Sequence, residues 1–130
     1  MSAALEIALN TDDLADLSGL TERQVRLYCA VGVFGDANVA PGSGRARSFT
    51  DDDVLVGGAL FRLAELFAVL TGQGQGLSHG LALRVAEAVR GRSGQRWLVV
   101  HHDGSVLVSA FPPEPSAAFI LVDLEDICDR

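Results

Sequence analysis

Four polar side chains cluster within a six-residue stretch near the start of the chain. They are Thr21, Arg23, Gln24 and Arg26. Each can hydrogen-bond to a phosphate oxygen or to the edge of a base. Thr21 and Gln24 stand three residues apart, which is the spacing of a capping box at a helix start. In that helix Val25 faces the core, and the two arginines and Gln24 lie exposed around the first turn.

Another helix must precede this one in the chain to hold it in place. Asn10 or Thr11 can cap a helix whose first turn carries two aspartates, and Leu14 and Leu17 supply its buried face. Ser18-Gly19 ends that helix with a tight turn. Two short helices joined by a glycine-containing turn form a helix-turn-helix, whose second helix enters the DNA major groove with its N-terminal end first.

A polar loop follows the second helix and carries two further arginines. Residues 35–48 are too rich in Gly, Pro and small residues to form a helix. We interpret this segment as a wing, from which Arg45 and Arg47 can reach phosphate or the minor groove.

These features occur in an order that resembles the winged helix-turn-helix of MerR-type regulators. The resemblance rests on Leu20–Tyr28, Gly32-Val33 and Gly44–Val54, and it covers roughly the first 70 residues and weakly extends to about 90. It implies that Arg26 and Tyr28 contact phosphate and that Arg47 is the wing arginine. Phe49 replaces the tyrosine that closes the wing in the family. Departures also fall at three other motif positions, which are Leu27, Arg45 and Ala46. The long dimerising coiled coil that follows in these regulators has no counterpart in this sequence.

Composition limits the kind of DNA binding to expect. The 130 residues carry a net charge of −7, and all ten basic residues are arginine. From Gly19 to Phe49, four arginines stand against Glu22 and Asp36, so this segment has a net charge of +2. An acidic chain with a small basic patch should attract DNA weakly in general. We therefore expect specific binding to need two copies of the chain.

Other chemistry finds little support in the sequence. Cys29 and Cys128 are isolated, and adjacent histidines at 101–102 would point to opposite faces of a strand and could not share one ion. No phosphate-binding loop, dinucleotide motif or nucleophile–base pair is present. We therefore expect no metal, no cofactor and no enzymatic activity, and the sequence identifies no small-molecule effector. Without a leader-like N-terminus or an uninterrupted apolar span, a cytoplasmic location without membrane contact is expected.

The second half of the chain predicts supporting helices and then strands. Thr50 caps a helix to about residue 70 that is apolar almost all round, so either the C-terminal half of the chain or a second copy must cover it. Within it, Arg62 and Glu65 can pair. Another helix begins at Ser78, and Gly91 ends it.

The Asp103-Gly104 turn predicts a hairpin of strands 96–102 and 105–111 that is apolar on both faces, with Val100 opposite Leu107 and Val99 opposite Val108. Residues 118–122 form a third strand.

The expected fold is therefore α+β, with an N-terminal winged helix-turn-helix and supporting helices over residues 1–91. A small β-rich module of a hairpin plus a third strand follows over residues 95–130 and is expected to mediate dimerisation. The expected function is sequence-specific binding of double-stranded DNA by a homodimer that regulates transcription. Two alternatives remain open, which are a recombination directionality or phage-packaging factor and a protein-interaction module that has lost DNA binding.

Overall fold

Helices fill most of the chain up to residue 90, and the strands lie beyond it. The computed structural model describes residues 9–35, 48–71, 77–92, 94–101, 105–111 and 120–128. The helices in these ranges are α1 (Thr11–Ser18), α2 (Glu22–Ala30), α3 (Asp51–Thr71), α4 (His79–Arg90) and α5 (Leu124–Cys128). The strands are β1 (Trp97–Val100), β2 (Val106–Ser109) and β3 (Ile120–Asp123). The α+β prediction is confirmed, including the hairpin and the third strand.

The turn between α1 and α2 is built as its sequence predicts. Asn10 caps α1 by accepting a hydrogen bond from the Asp13 amide at 2.9 Å. Gly19 ends the helix with a φ of +93°, and a Cβ at this position would lie 3.0 Å from the Phe61 ring. Glycine is therefore required here both by the backbone conformation and by the close approach of α3.

One prediction for α1 is wrong. Leu14 is fully buried, but Leu17 is 49% exposed and does not join the core. The buried face continues instead through Ser18, which is one helical turn beyond Leu14. The Ser18 hydroxyl is satisfied there because it accepts a hydrogen bond from the Leu20 amide at 3.2 Å.

Helix α3 runs through the centre of the molecule. Thr50 and Asp53 cap its start, with the Thr50 amide donating to the Asp53 carboxylate at 2.9 Å. α1 packs on one side of α3, and α4, β3 and α5 pack on the others. The sequence left open whether the C-terminal half of the same chain or a second copy covers α3. The structure shows that the C-terminal half packs there. Arg62 does not pair with Glu65 as predicted, because α5 brings Asp126 within 2.9 Å of its guanidinium.

Helix α4 and the last helix both bury the faces that the sequence indicates. Ser78 caps α4 by accepting from the Leu81 amide at 3.2 Å. The buried residues of α4 are Leu81, Ala82, Val85, Ala86 and Val89. Leu124 and Ile127 of α5 are likewise buried.

The sheet has the order β2-β1-β3, and both outer strands run antiparallel to β1. Its register differs by one residue from the prediction, because Val100 lies opposite Val106 and Val99 lies opposite Leu107. The reason is the closing pair of the hairpin. The His101 amide donates to the Ser105 carbonyl at 2.9 Å, so three residues connect the strands instead of the predicted two. The shift places Val99 and Leu107 on one face of the sheet and Val100 and Val106 on the other.

Helices and sheet share one hydrophobic core. The sheet residues that join the buried cluster of the helices are Leu98, Val100, Ile120 and Val122. Val99, on the opposite face of β1, is also fully buried. Both faces of β1 are thus covered, whereas the outer face of β2 remains open at Leu107, which is 43% exposed. The predicted boundary between residues 91 and 95 does not separate two cores.

Candidate nucleic-acid interface

The N-terminal turn of α2 is held rigidly by the predicted capping box. The Gln24 amide donates to the Thr21 hydroxyl at 3.1 Å, and the Thr21 amide donates to Gln24 Oε1 at 2.9 Å. Leu20 and Val25, on either side of the cap, are buried. Because Gln24 Oε1 is engaged, its side-chain NH₂ is the part of this group that remains to donate to a ligand.

The two arginines of α2 lie on the surface, as predicted. Arg23 is exposed, and it makes no ion pair with any residue in the described part of the chain. Arg26 Nη2 lies 3.2 Å from Glu22 Oε2 one turn earlier, and the Arg26 side chain is 59% exposed. An exposed pair of this kind contributes about 0.3–0.5 kcal/mol, so Arg26 can exchange its partner for a phosphate at little cost.

Tyr28 occupies the core and not the surface. It is 5% exposed, and its ring packs edge-on against Phe34 with the centroids 6.5 Å apart. Burial raises the pKa of its phenol. The phosphate contact that the family resemblance implies for Tyr28 therefore has little surface available, whereas a packing role is evident. Leu27, which precedes it, is 50% exposed.

The predicted wing arginines, Arg45 and Arg47, lie outside the described residues, as does the rest of segment 36–47. The residues on either side of that segment are fixed. Phe34 and Phe49 are buried, and their rings meet edge-on at 5.6 Å. Phe49 also pairs with Leu9 through two backbone hydrogen bonds of 3.0 and 3.2 Å. The described residues that flank this segment, Phe34 and Phe49, therefore lie together beside Tyr28 of α2.

A partly buried ion pair that sequence reasoning missed connects the turn after α2 to the supporting helices. Arg90 at the end of α4 donates to Asp53 at 2.7 Å and to the carbonyl of Val33 at 2.8 Å. Asp53 is 4% exposed and also belongs to the cap of α3. The pair fixes the turn after α2 against both α3 and α4. The aspartate was recognisable as a capping residue, but nothing in the sequence links it to an arginine 37 positions later.

An acidic cluster flanks α2 on the α1 side. Asp12, Asp13, Asp16 and Glu22 line a shallow groove of about 440 Å³. The neighbouring Asp12 carboxyl raises the pKa of Glu22, by hydrogen bonding and by charge repulsion. These four carboxylates outnumber the two arginines of α2. Arg26 contacts Glu22 of this cluster, so the basic surface of α2 directly borders the acidic one.

The remaining candidate groups form no reactive site in the described residues. Within those ranges, no group of three or more His, Cys, Asp or Glu side chains could hold a metal ion. Cys29 is fully buried, and His102 and Asp103 lie outside the described residues. Among the helices described, none has both the length and the apolar character needed to cross a membrane.

Comparison with known proteins yields no relative for this chain. No family model matches the sequence, and searches of curated proteins and of solved structures likewise find no match.

Proposed function

We propose that this chain is a cytoplasmic, sequence-specific double-stranded DNA-binding protein that regulates transcription. The observation that carries the proposal is the geometry of α2. Its first turn is fixed by a reciprocal capping box, and Arg23 and Arg26 project from it into solvent. α1 and the Gly19 turn brace this helix as in a helix-turn-helix. The ordered resemblance of the sequence to MerR-type regulators supports the same assignment.

Each exposed group of α2 has its own role in this proposal. Arg23 has no competing ion pair among the described residues and reads a base edge, for which guanine offers the bidentate partner. The Gln24 NH₂ donates to a neighbouring acceptor. Arg26 leaves Glu22 to contact a phosphate, which positions the helix without specifying sequence. Arg45 and Arg47 add backbone contacts from the segment that follows α2.

The acidic cluster determines how the duplex approaches. Asp12, Asp13 and Asp16 repel phosphate, so we expect the DNA backbone to avoid α1 and to meet α2 at its exposed arginines. A footprint of a few arginines on a chain of net charge −7 gives weak affinity for any single site. We therefore propose that two copies bind paired half-sites. A recombination or DNA-packaging factor would use the same surface, and only the identity of the bound sites separates it from a regulator.

A different class of function, a protein-interaction module, is favoured by one observation. Leu17 and Leu27 are each about half exposed, on the two helices that border the acidic groove. Exposed leucines beside carboxylates fit a partner surface that is apolar and basic.

Selection of bound sites from a random duplex library distinguishes these functions. Repeated rounds with the full chain should enrich one short motif, present as two half-sites with a fixed spacing. Recovery of no motif after several rounds, with affinity no different between the starting and final pools, contradicts specific DNA binding. That result leaves the interaction module as the better account.

A further inference from the structure

Among the described residues, strand β2 forms an edge of the sheet, with backbone groups that point away from β1. Hydrogen-bonded pairs alternate with non-bonded pairs in an antiparallel ladder. Because His101 bonds to Ser105, the next bonded pair between β1 and β2 is Val99–Leu107. Val106 and Val108 occupy the intervening positions, so their N–H and C=O groups point away from β1. Within the described residues, no other strand lies beside them.

This edge lacks the features by which proteins usually protect an edge strand. The sequence from Ser105 to Ser109 contains no proline, no charged residue and no glycine. The Leu107 side chain is 43% exposed on the outer face of the sheet. Val106 and Val108 are partly buried against the core on the inner face. An uncharged edge with apolar side chains on both faces is suited to pairing with another strand.

We propose that β2 pairs antiparallel with β2 of a second copy of this chain. The free groups dictate the register. Val106 of one protomer pairs with Val108 of its partner, and a two-fold axis passes between the two Leu107 residues. Four main-chain hydrogen bonds form in this arrangement, and the two leucine side chains meet on the outer face. The result is a continuous six-stranded sheet in which both protomers keep their helices on the same side.

A second copy is favoured over an unrelated strand by the surface next to β2. Arg84 and Glu87 of α4 line a groove of about 570 Å³ together with Val106–Val108. Both side chains are exposed, and neither forms an ion pair with another described residue. The two-fold axis brings the two α4 helices together in opposite directions over the seam. Arg84 of each protomer then faces Glu87 of the other, so the surface is complementary in charge to itself.

The inference shares with the proposed function only the expectation of a dimer, and it is tested without DNA. Crosslinking reports the register directly. In the full chain carrying Cys29→Ala and Cys128→Ser, Leu107→Cys places two thiols on a non-bonded pair with Cα atoms about 4.5 Å apart, within disulfide range. Mild oxidation should convert most of the protein to a covalent dimer. Ser109→Cys in the same background is the matched control, because the residue opposite it is Ser105 and its own copy lies about 13 Å away along the strand.

Sedimentation of the full chain at micromolar concentration provides the second measurement. The wild-type chain should sediment as a dimer, and Leu107→Asp should raise the dimer dissociation constant about 30-fold or more, because like charges then meet at the axis. Val108→Pro removes an outward N–H without touching the β1–β2 ladder and should act in the same direction. Val69→Asp, at a position 81% exposed on α3, should leave the dimer intact.

Several outcomes overturn the proposal. A wild-type monomer does so, and it is also the result expected if β2 instead accepts a strand from a different protein. If the Ser109→Cys variant forms the disulfide-linked dimer as readily as the Leu107→Cys variant, the dimer has another interface. A dimer unaffected by Leu107→Asp in a variant with native circular dichroism is equally contradictory.

Discussion

At the residue scale, Arg90 connects the turn after α2 to the start of α3. Its guanidinium bridges the buried Asp53 carboxylate and the carbonyl of Val33. Arg90→Ala leaves both acceptors without this donor and should lower the free energy of unfolding by about 2 kcal/mol. Urea denaturation measures this loss. Arg23→Ala, which removes an exposed arginine with no ion pair among the described residues, should change stability by less than about 0.5 kcal/mol.

The Arg90 prediction fails if both variants unfold at the same urea concentration. A double-mutant cycle with Asp53→Asn then adds a second check. The losses of unfolding free energy in the two single variants should sum to more than the loss in the double variant, because each single substitution removes the same interaction.

The acidic cluster beside α2 gives a prediction about protonation. Asp12 raises the pKa of Glu22, so Asp12→Asn should move that pKa back towards its ordinary value. Since the raised pKa means that the folded state holds the proton more tightly, the contribution of Glu22 to stability should increase as the pH falls through this pKa. The variant should lose that part of the pH dependence. Carboxyl carbon chemical shifts of Glu22, followed through an acid titration, measure the change.

Asp16→Asn is the control for this titration, because Asp16 lines the same groove but is not a cause of the Glu22 shift. An unchanged Glu22 pKa in Asp12→Asn, or an equal decrease in both variants, contradicts the assigned cause.

What could be predicted for single residues depended on distance along the chain. The capping box of α2 spans four residues, and its hydrogen bonds occur as predicted, whereas for α1 the cap at Asn10 was predicted but its reciprocal bond with Asp13 was not. The burial of Tyr28 beside a half-exposed Leu27 differs from the role that the family resemblance implied for Tyr28, because the ring packs in the core. The Arg90–Asp53 pair was not predictable, because only the folded arrangement of α3 and α4 brings the two together.

At the scale of elements, the glycines of α3 set how closely the other helices pack. A Cβ on Gly58 would lie 2.5 Å from Ile127 Cγ2 of α5. Gly58→Ala should therefore destabilise the protein by about 1–3 kcal/mol, despite the better helix propensity of alanine. Gly80→Ala in α4 meets only the end of the Arg84 side chain, at 3.9 Å, and should stabilise it by about 0.5 kcal/mol.

Thermal unfolding of the two alanine variants, compared with the wild type, tests this packing. Opposite shifts in the melting temperature are expected from the same chemical change. Equal shifts would mean that α5 does not approach α3 as closely as described.

Element types followed from sequence patterns, whereas strand register did not. Alternating apolar residues and a turn signal predicted the hairpin, but they could not decide between two and three connecting residues. This difference of one residue in the connection determines which valines face the helices. It also determines which backbone groups of β2 point away from β1. The proposed dimer register therefore depends on the structure and not on the sequence pattern.

At the scale of the whole molecule, the C-terminal strands serve the same core as the helix-turn-helix. Leu98 and Val122 pack in one cluster with residues of α1 to α4. The sequence suggested two units because glycines at 91 and 94 interrupt the pattern between helix and strand. Burial across that interruption could not be inferred from local signals. α2 consequently packs on a core to which both halves of the chain contribute, which suits an interface that depends on accurate placement of a few side chains.

The central claim is that α2 contacts duplex DNA through Arg23 and Arg26. The direct measurement is the affinity of the double variant Arg23→Ala/Arg26→Ala for the selected duplex, by fluorescence anisotropy at fixed salt. We predict a loss of about 100-fold relative to wild type, since one base contact and one phosphate contact disappear. Arg62→Ala/Arg96→Ala changes the net charge equally but removes partners of the C-terminal acidic residues, and should bind within about threefold of wild type. Equal affinities for wild type and both double variants would contradict the account.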